Sequence, residues 1–239
     1  MALHPLQLIV PIALKETIEA FAGEIAGTLG IRVEMVHMLN PEVPAFIRAG
    51  AAWDLALSNP WHLAEILEEP GVDVASHRAF GRSPLAFGVR GAPASQSPRD
   101  TRQEIIAALD DAQVIAITAG GTSGDMFQQL LGKLGPDVGR HLAIRQLPGG
   151  GPMRALLASD VDLVALPLSN IAPISGAYAK AVCPVDLGVH IDLSLCCRAG
   201  ADRHARALAD WLTDVERAEH LRRLGVLPLP AQQMSMAPR

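Results

Sequence analysis

Ala119-Gly120-Gly121-Thr122-Ser123-Gly124-Asp125 lies between the apolar run Val114 to Thr118 and the amphipathic run Met126 to Leu134. This order predicts a strand feeding a glycine turn that opens a helix. Such a turn strips side chains from the backbone and directs unpaired helix N–H groups, two hydroxyls and the positive end of a helix dipole to one spot. That arrangement suits an anion or a polar ligand head. The same residues also suit a plain tight turn, with Gly120 and Gly121 permitting the backbone and Thr122 or Ser123 capping the helix. The rest of the chain decides between the two.

The chain has 239 residues, enough for one large domain or two lobes of about 100 residues each. Hydrophobic residues make up 49% and charged residues 19%, a globular balance. The net charge of -5 and the lack of any Lys/Arg run argue against nucleic-acid binding. Cys183, Cys196 and Cys197 are an odd set that cannot form a closed disulfide framework, and they read as small buried hydrophobes. No Cys-x-x-Cys or His-x-x-x-His pair suggests a metal site, and no cofactor motif is present. No apolar stretch reaches the roughly 20 residues that span a bilayer, so no direct membrane insertion is expected. Gln7 to Pro11 already reads as a strand without a basic leader before it. The compartment is therefore cytoplasmic as written, or periplasmic if a leader was removed.

Upstream of the glycine turn the pattern is βαβαβα. Leu6 to Ile12 reads as a strand, followed by one helix with Ile18, Phe21, Ile25 and Leu29 at helical spacing, stopped at Gly30. Ile31 to Val36 is the second strand, and Pro41 to Gly50 a short helix with Val43, Phe46 and Ile47 on one face. Leu55 to Ser58 is the third strand, and Asn59-Pro60 starts a helix carrying Leu63, Ile66 and Leu67. This alternation specifies a parallel, helix-covered sheet. Ser83 to Val89 reads as a strand that breaks it, and the Pro/Ser/Gly-rich stretch Gly91 to Arg99 marks a crossing between lobes. A second βα series follows: a helix near Thr101 to Leu109, the Val114 strand and its glycine turn, and a strand at Ala143 to Leu147. Pro148-Gly149-Gly150-Gly151-Pro152 then opens a helix over Met153 to Ala158, and a strand at Val161 to Leu166 ends at Pro167-Leu168-Ser169-Asn170. Both glycine loops fall at the carboxyl ends of parallel strands. Val182 to Leu187 and His190 to Cys197 read as further strands. Leu208, Trp211, Leu212 and Val215 form one helical stripe continued by Leu221 and Leu224, with a capping-box spacing at Thr213 to Glu216 and a bend at Thr213. Leu229 to Arg239 reads as a surface tail.

Three stretches resemble the molybdate-binding periplasmic proteins and their relatives among the type II solute-binding proteins. These are Asp54-Leu-Ala-Leu-Ser58, Asp160-Val-Asp-Leu-Val-Ala-Leu166, and the ending Ala205 to Pro228 with its Ala-Leu-Ala-Asp-Trp-Leu helix and Leu224-Gly225-Val226-Leu227-Pro228. The resemblance extends over nearly the whole chain. It implies an α/β fold of two lobes with mostly parallel sheets, joined by two crossing strands, one lobe comprising residues 1–90 and 187–239 and the other 91–186. It also implies a monomer that holds a small ligand in the cleft by hinge closure, and an ABC-type membrane permease as partner.

Carried over by position, the ligand loops are Pro11 to Lys15, His37 to Pro41 and Ser58 to Trp61 in the first lobe. In the second they are Thr118 to Gly124, Pro148 to Gly151 and Pro167 to Asn170. The candidate contacts are Ile12, Ala13, Leu14, Leu39, Asn40 and Asn59, together with Thr118, Gly121, Thr122, Ser123, Gly149, Gly150 and Ser169. Molybdate binders usually place a serine in the first loop and a small hydroxyl residue in the second, and often a tyrosine near the position of Leu168. This chain has Ile12-Ala13-Leu14 and Met38-Leu39-Asn40 there, and its only tyrosine, Tyr178, falls later. A charged oxyanion needs donors on all sides, because burying it without partners costs several kcal/mol. The expected ligand is therefore an organic acid or an oxyanion, with its polar end on the second lobe and any apolar body against Ile12, Leu14, Met38 and Leu39. Asn40 and Asn59 each precede a proline and also suit helix caps. Arg82 suits a carboxylate fork or a solvated surface, and His37, His62 and Trp61 suit either ligand or packing roles. Gly121-Thr122-Ser123-Gly124 is not Gly-x-Ser-x-Gly, and no phosphate loop or ordered His–carboxylate set points to catalysis. A cytoplasmic enzyme or ligand sensor built on the same bilobal fold is the alternative.

Overall fold

The computed structural model describes residues 5–92 and 100–229. Most of the expected crossing at Gly91 to Arg99, and all but the first residue of the expected surface tail, lie outside them. The elements in chain order are β1 (Leu6–Pro11), α1 (Lys15–Ala20), α2 (Ala22–Leu29), β2 (Val33–Met38), α3 (Val43–Arg48), β3 (Leu55–Ser58), α4 (Pro60–Ala64) and β4 (Val72–Arg90). Then come α5 (Arg102–Asp110), β5 (Val114–Thr118), α6 (Thr122–Leu134), β6 (Ala143–Leu147), α7 (Gly151–Leu157), β7 (Leu163–Pro167), β8 (Ala177–Val182), β9 (His190–Arg198), α8 (Arg203–Leu212) and α9 (Ala218–Arg223). The chain divides into two compact units. The first holds Met1–Arg82, Asp192–Arg222 and Leu227–Arg239, and the second holds Ser83–Ile191 and Arg223–Val226.

The two units repeat one topology. In the first, β1 lies parallel to both β2 and β3, and β3 pairs antiparallel with β9. In the second, β5 lies parallel to both β6 and β7, and β7 pairs antiparallel with β4, which β8 also joins. The first strand of each βα series is thus central, and the strand that closes each parallel set belongs to a crossing element. β4 and β9 each run through a unit boundary, and the chain crosses again on either side of residues 223–226, so it passes four times between the units.

The aspartates ahead of the third strands have the same task in both units. Asp54 Oδ2 accepts the Gln7 N–H at 2.9 Å, tying the start of β1 to β3. Asp162 Oδ2 accepts the N–H groups of Gln113 and Val114, tying the start of β5 to β7. Each carboxylate satisfies strand-end donors that the ladder leaves unpaired.

The core of the first unit gathers Ile9, Met38, Val43, Trp53, Ala56, Leu63, Ile66, Leu67, Val72 and Cys196, with Val36, Phe46 and Ile47 packed against it. That of the second gathers Ala86, Ala116, Met153, Leu156, Val161, Val164, Leu166, Ile171 and Val182. On α6 the buried positions Met126, Phe127, Leu130 and Leu134 follow helical spacing, each contributing about 1.5–3 kcal/mol of transfer free energy. Arg102 Nη2 donates to the carbonyls of Lys133 and Leu134, occupying the last acceptors of α6.

Several local expectations are corrected. The single N-terminal helix is two, α1 and α2, meeting at Phe21, whose ring is buried against Trp211 and His220. Residues 185–187 form a 3-10 turn and not a strand, and the strand precedes them as β8. The strand foreseen at Ser83 starts at Val72. Val215 does not continue the α8 stripe: α8 ends at Leu212, so Val215 falls in a 3-10 turn and is 83% exposed. The foreseen capping box at Thr213 is replaced by Asp214, whose Oδ1 accepts the Glu216 N–H, while the Thr213 hydroxyl donates back to Ala209.

Candidate functional site

Three loops of the second unit follow the parallel strands β5, β6 and β7, so all three leave the same edge of its sheet. The Ala119 N–H donates to the Leu147 carbonyl at 2.9 Å, which fastens the first loop to the second. Gly120 has φ 65, a conformation that side chains resist, and Gly121 is the N-cap of α6 without contributing a side chain. Ser123 is 5% exposed, yet no protein group among the described residues pairs with its hydroxyl or its N–H. Thr118 is buried and Thr122 half-buried, the latter with a partner of its own. A Cβ on Gly124 would meet the Thr118 carbonyl at 3.0 Å, so the first turn of α6 lies directly against the end of β5.

In the second loop Gly149 has φ 51 and is half-buried, Gly150 is exposed, and the Gly151 N–H donates to Pro148. One residue here was not anticipated from the sequence. The Arg154 side chain leans back along α7, as long helical side chains do. Its Nη1 lies 3.4 Å from where a Cβ on Gly150 would sit, and its Nη2 lies 3.9 Å from the corresponding point on Gly151. No carboxylate among the described residues pairs with Arg154, which is exposed.

The third loop is held from behind. The Ser83 hydroxyl accepts the Ser169 N–H at 3.0 Å and donates to the Gly225 carbonyl at 3.1 Å. Ser169 and Asn170 are buried, and both are already partnered.

The first unit presents loops after β1, β2 and β3, again at one sheet edge. Asn40 is 5% exposed, and its Oδ1 accepts from Ser58 Oγ at 3.1 Å and from the Asn59 N–H at 3.2 Å. Those donors fix which way the amide faces, and no protein group among the described residues takes its Nδ2. Asn59 donates from Nδ2 to the Asp192 carbonyl at 2.9 Å and makes no side-chain cap. The two asparagines are therefore loop cross-links, a role their sequence neighbours do not reveal. Ile12 and Leu39 are half-buried, Ala13 and Met38 are buried, and Leu14 is fully covered in the core. The Leu39 N–H donates to Glu42 Oε2.

The remaining candidates have protein partners. Arg82 forks onto Asp192 inside the first unit, so it is neither solvated nor an open ligand fork. His37 Nε2 lies 3.2 Å from Glu19 and His62 Nδ1 3.0 Å from Glu65, while Trp61 is half exposed at the start of α4. Among the described residues no three His, Cys, Asp or Glu side chains form a metal cluster, and no helix is long and apolar enough to cross a membrane.

No protein-family model matches the chain, and no curated protein matches it in sequence. Its likeness to solved structures is extensive. The periplasmic molybdate-binding protein of Azotobacter vinelandii superposes with a TM-score of 0.71 at 17% identity, covering 94% of this chain and 99% of that one. The substrate-binding domain of a molybdenum ABC transporter from Clostridium difficile gives a TM-score of 0.70 at 12% identity, covering 95% and 99%. PEB3 of Campylobacter jejuni, in a structure with L-phospholactate bound, gives 0.64 at 15% identity, covering 94% and 100%. The chain therefore has the two-lobed fold of the type II periplasmic binding proteins. Neighbours covering most of both chains include these proteins and the sulfate-binding protein SubI of Mycobacterium tuberculosis (TM-score 0.65, 14% identity, covering 96% and 88%), at identities that establish the fold and leave the ligand to the residues themselves.

Proposed function

We propose that this protein is a solute-binding protein that captures a small anion, with the loops of both units contributing to one closing cleft and an ABC-type importer as its partner. The observation that carries this reading is Ser123. A hydroxyl on a largely buried residue and a helix N–H, neither with a protein partner among the described residues, at the start of a helix of 13 residues opened by two glycines, are donors arranged for an acceptor from outside the chain. Asn40 Nδ2 in the first unit is a second donor of this kind, held in place by Ser58 and Asn59. The fold's solved neighbours support the reading, since one is named for a molybdenum ABC transporter, one for molybdate binding, and a third holds a small phosphorylated organic acid. The apolar character of Ile12 and Leu39 favours an anion with an organic body over a bare tetrahedral oxyanion.

A thermal-shift series with molybdate, tungstate, sulfate, phosphate, succinate, citrate and L-phospholactate tests this. A binder raises the melting temperature by mass action, so a hundredfold excess over Kd adds about 2.7 kcal/mol. The expected result is a shift with at least one organic anion that exceeds the shift with molybdate. A dominant molybdate or tungstate shift would overturn the choice of ligand, and no shift with any of the seven would overturn the anion reading.

A further inference from the structure

We infer that Arg154 is the charged clamp of the ligand's anionic head, an assignment that rests on the reading above that the glycine loops of the second unit form the binding surface. Three observations converge on it. The guanidinium lies against Gly150 and Gly151, with Nη1 and Nη2 on the two residues in turn, so its fork is spread along the loop while the side chain stays exposed to solvent. No carboxylate among the described residues neutralises it. Other arginines of this chain commonly do have such partners: Arg82 with Asp192, Arg206 with Asp73, Arg198 with Asp54 and Arg217 with Glu24. Finally, the Ala119–Leu147 hydrogen bond joins the Arg154 loop to the Ser123 loop, which places a full positive charge and the uncommitted donors of α6 on two fastened segments of one sheet edge.

The charge arithmetic points to the class of ligand. A helix N-terminus carries roughly half a positive charge, and a guanidinium adds one in a planar fork that matches two oxygens of one head group. Together, with the exposed Asp125 in the first turn of α6 offsetting part of the field, they suit the paired oxygens of a singly or doubly charged head: a carboxylate or a phosphate, whether free as inorganic phosphate or borne on an organic acid. Lysine, a point charge without the fork, would hold such a head less well.

The experiment is calorimetric titration of the purified full chain with inorganic phosphate, L-phospholactate, succinate and molybdate, repeated for Arg154→Gln, Arg154→Lys and Ser123→Ala. Arg154 is exposed and has no carboxylate partner among the described residues, so both of its variants should melt where the wild type does, which separates affinity from folding. The expected result is at least a tenfold loss of affinity in Arg154→Gln, with Arg154→Lys between it and the wild type, for whichever of the first three probes binds. Inorganic phosphate binding as tightly as L-phospholactate would assign the site to the free ion, and tighter L-phospholactate or succinate binding to the organic acid. Wild-type affinity in Arg154→Gln together with a loss in Ser123→Ala overturns the clamp and leaves the binding surface standing. Wild-type affinity in both variants, or no binding of any probe to the wild type, overturns the binding surface as well. A preference for molybdate that Arg154→Gln does not alter also overturns the clamp.

Discussion

Arg82 and Asp192 form a two-pronged ion pair inside the first unit, Nε to Oδ1 at 2.6 Å and Nη2 to Oδ2 at 2.9 Å, with the arginine only 5% exposed. Each residue is the last or first of its unit on a crossing strand: Arg82 on β4 precedes the boundary and Asp192 on β9 follows it. The Arg82 backbone is fixed as well, exchanging both N–H···O bonds with Leu227 at 2.8 and 2.7 Å. A buried charge stripped of its partner costs more than the pair contributes. Asp192→Ala should therefore destabilise the fold by about 3 kcal/mol, read from urea unfolding. The double variant Arg82→Met with Asp192→Leu should be more stable than either single change. Strictly additive losses in that cycle would show that the two side chains do not act as a pair.

Gly225 bears on the third loop of the second unit from behind. With φ 82, its position would set a Cβ 2.5 Å from the Leu168 carbonyl carbon and 2.6 Å from the Ser169 nitrogen, closer than any side chain tolerates. Gly225→Ala should cost upwards of about 3 kcal/mol, because backbone on both sides must move. Ser83→Ala, which removes the hydroxyl bridging Ser169 and Gly225, should cost about 1–2 kcal/mol. Thermal melts rank the two. A Gly225→Ala protein as stable as the wild type would rule out the close approach.

Much of this arrangement is readable in the sequence and some is not, for a physical reason in each case. The strand, glycine turn and helix from Val114 to Leu134 are local, since apolar periodicity and the lack of a Cβ at Gly120 and Gly121 suffice to specify them. The aspartates ahead of β3 and β7 stand out in the sequence only as part of the family resemblance, and their bonds to the neighbouring strand's first amides emerge from the structure because the partners are 47 to 49 positions away. β8 escapes notice because Ala177-Tyr-Ala-Lys-Ala-Val182 offers small, half-buried residues at a sheet edge. The first half of β4 escapes for a similar reason, with Asp73, Ser76, His77 and Arg78 interrupting any apolar pattern. Asn59 is tied to a carbonyl 133 positions away, and no local pattern announces a bond of that span. Arg154 looks like any polar residue of a helix until its side chain is seen lying on the loop four residues before it.

The histidine at the middle of β4's first half sets a pH dependence. Burial lowers the His77 pKa from its ordinary value of 6.5, and its Nε2 hydrogen-bonds Ser194 Oγ at 3.2 Å. The folded state therefore holds His77 neutral where the unfolded chain binds a proton. Stability from this group is complete above about pH 6.5 and declines as pH falls through the lowered value. Urea unfolding at pH 7.5 and pH 5.5 should show a drop in the wild type that is smaller in His77→Gln. An equal drop in both proteins would locate the acid sensitivity elsewhere.

The three cysteines give the most direct check on burial. Cys183 and Cys196 are shielded in the interior, and burial pushes each thiol up to about 12. Cys197 is raised by burial too, partly opposed by its hydrogen bond with Ser76. A thiolate is the reactive form, so at pH 8 almost none exists in the folded protein, and none of the three side chains is open to a reagent. Ellman's reagent at pH 8 should register close to zero thiols in native protein and three in 6 M guanidinium chloride. Because reaction requires opening, the slow native rate should follow the unfolding equilibrium and accelerate in Gly225→Ala and Asp192→Ala in proportion to their lost stability. One thiol reacting rapidly in the native protein would contradict the burial of that residue, and identifying it by mass spectrometry would show which sheet opens: β9 for Cys196 or Cys197, the segment after β8 for Cys183.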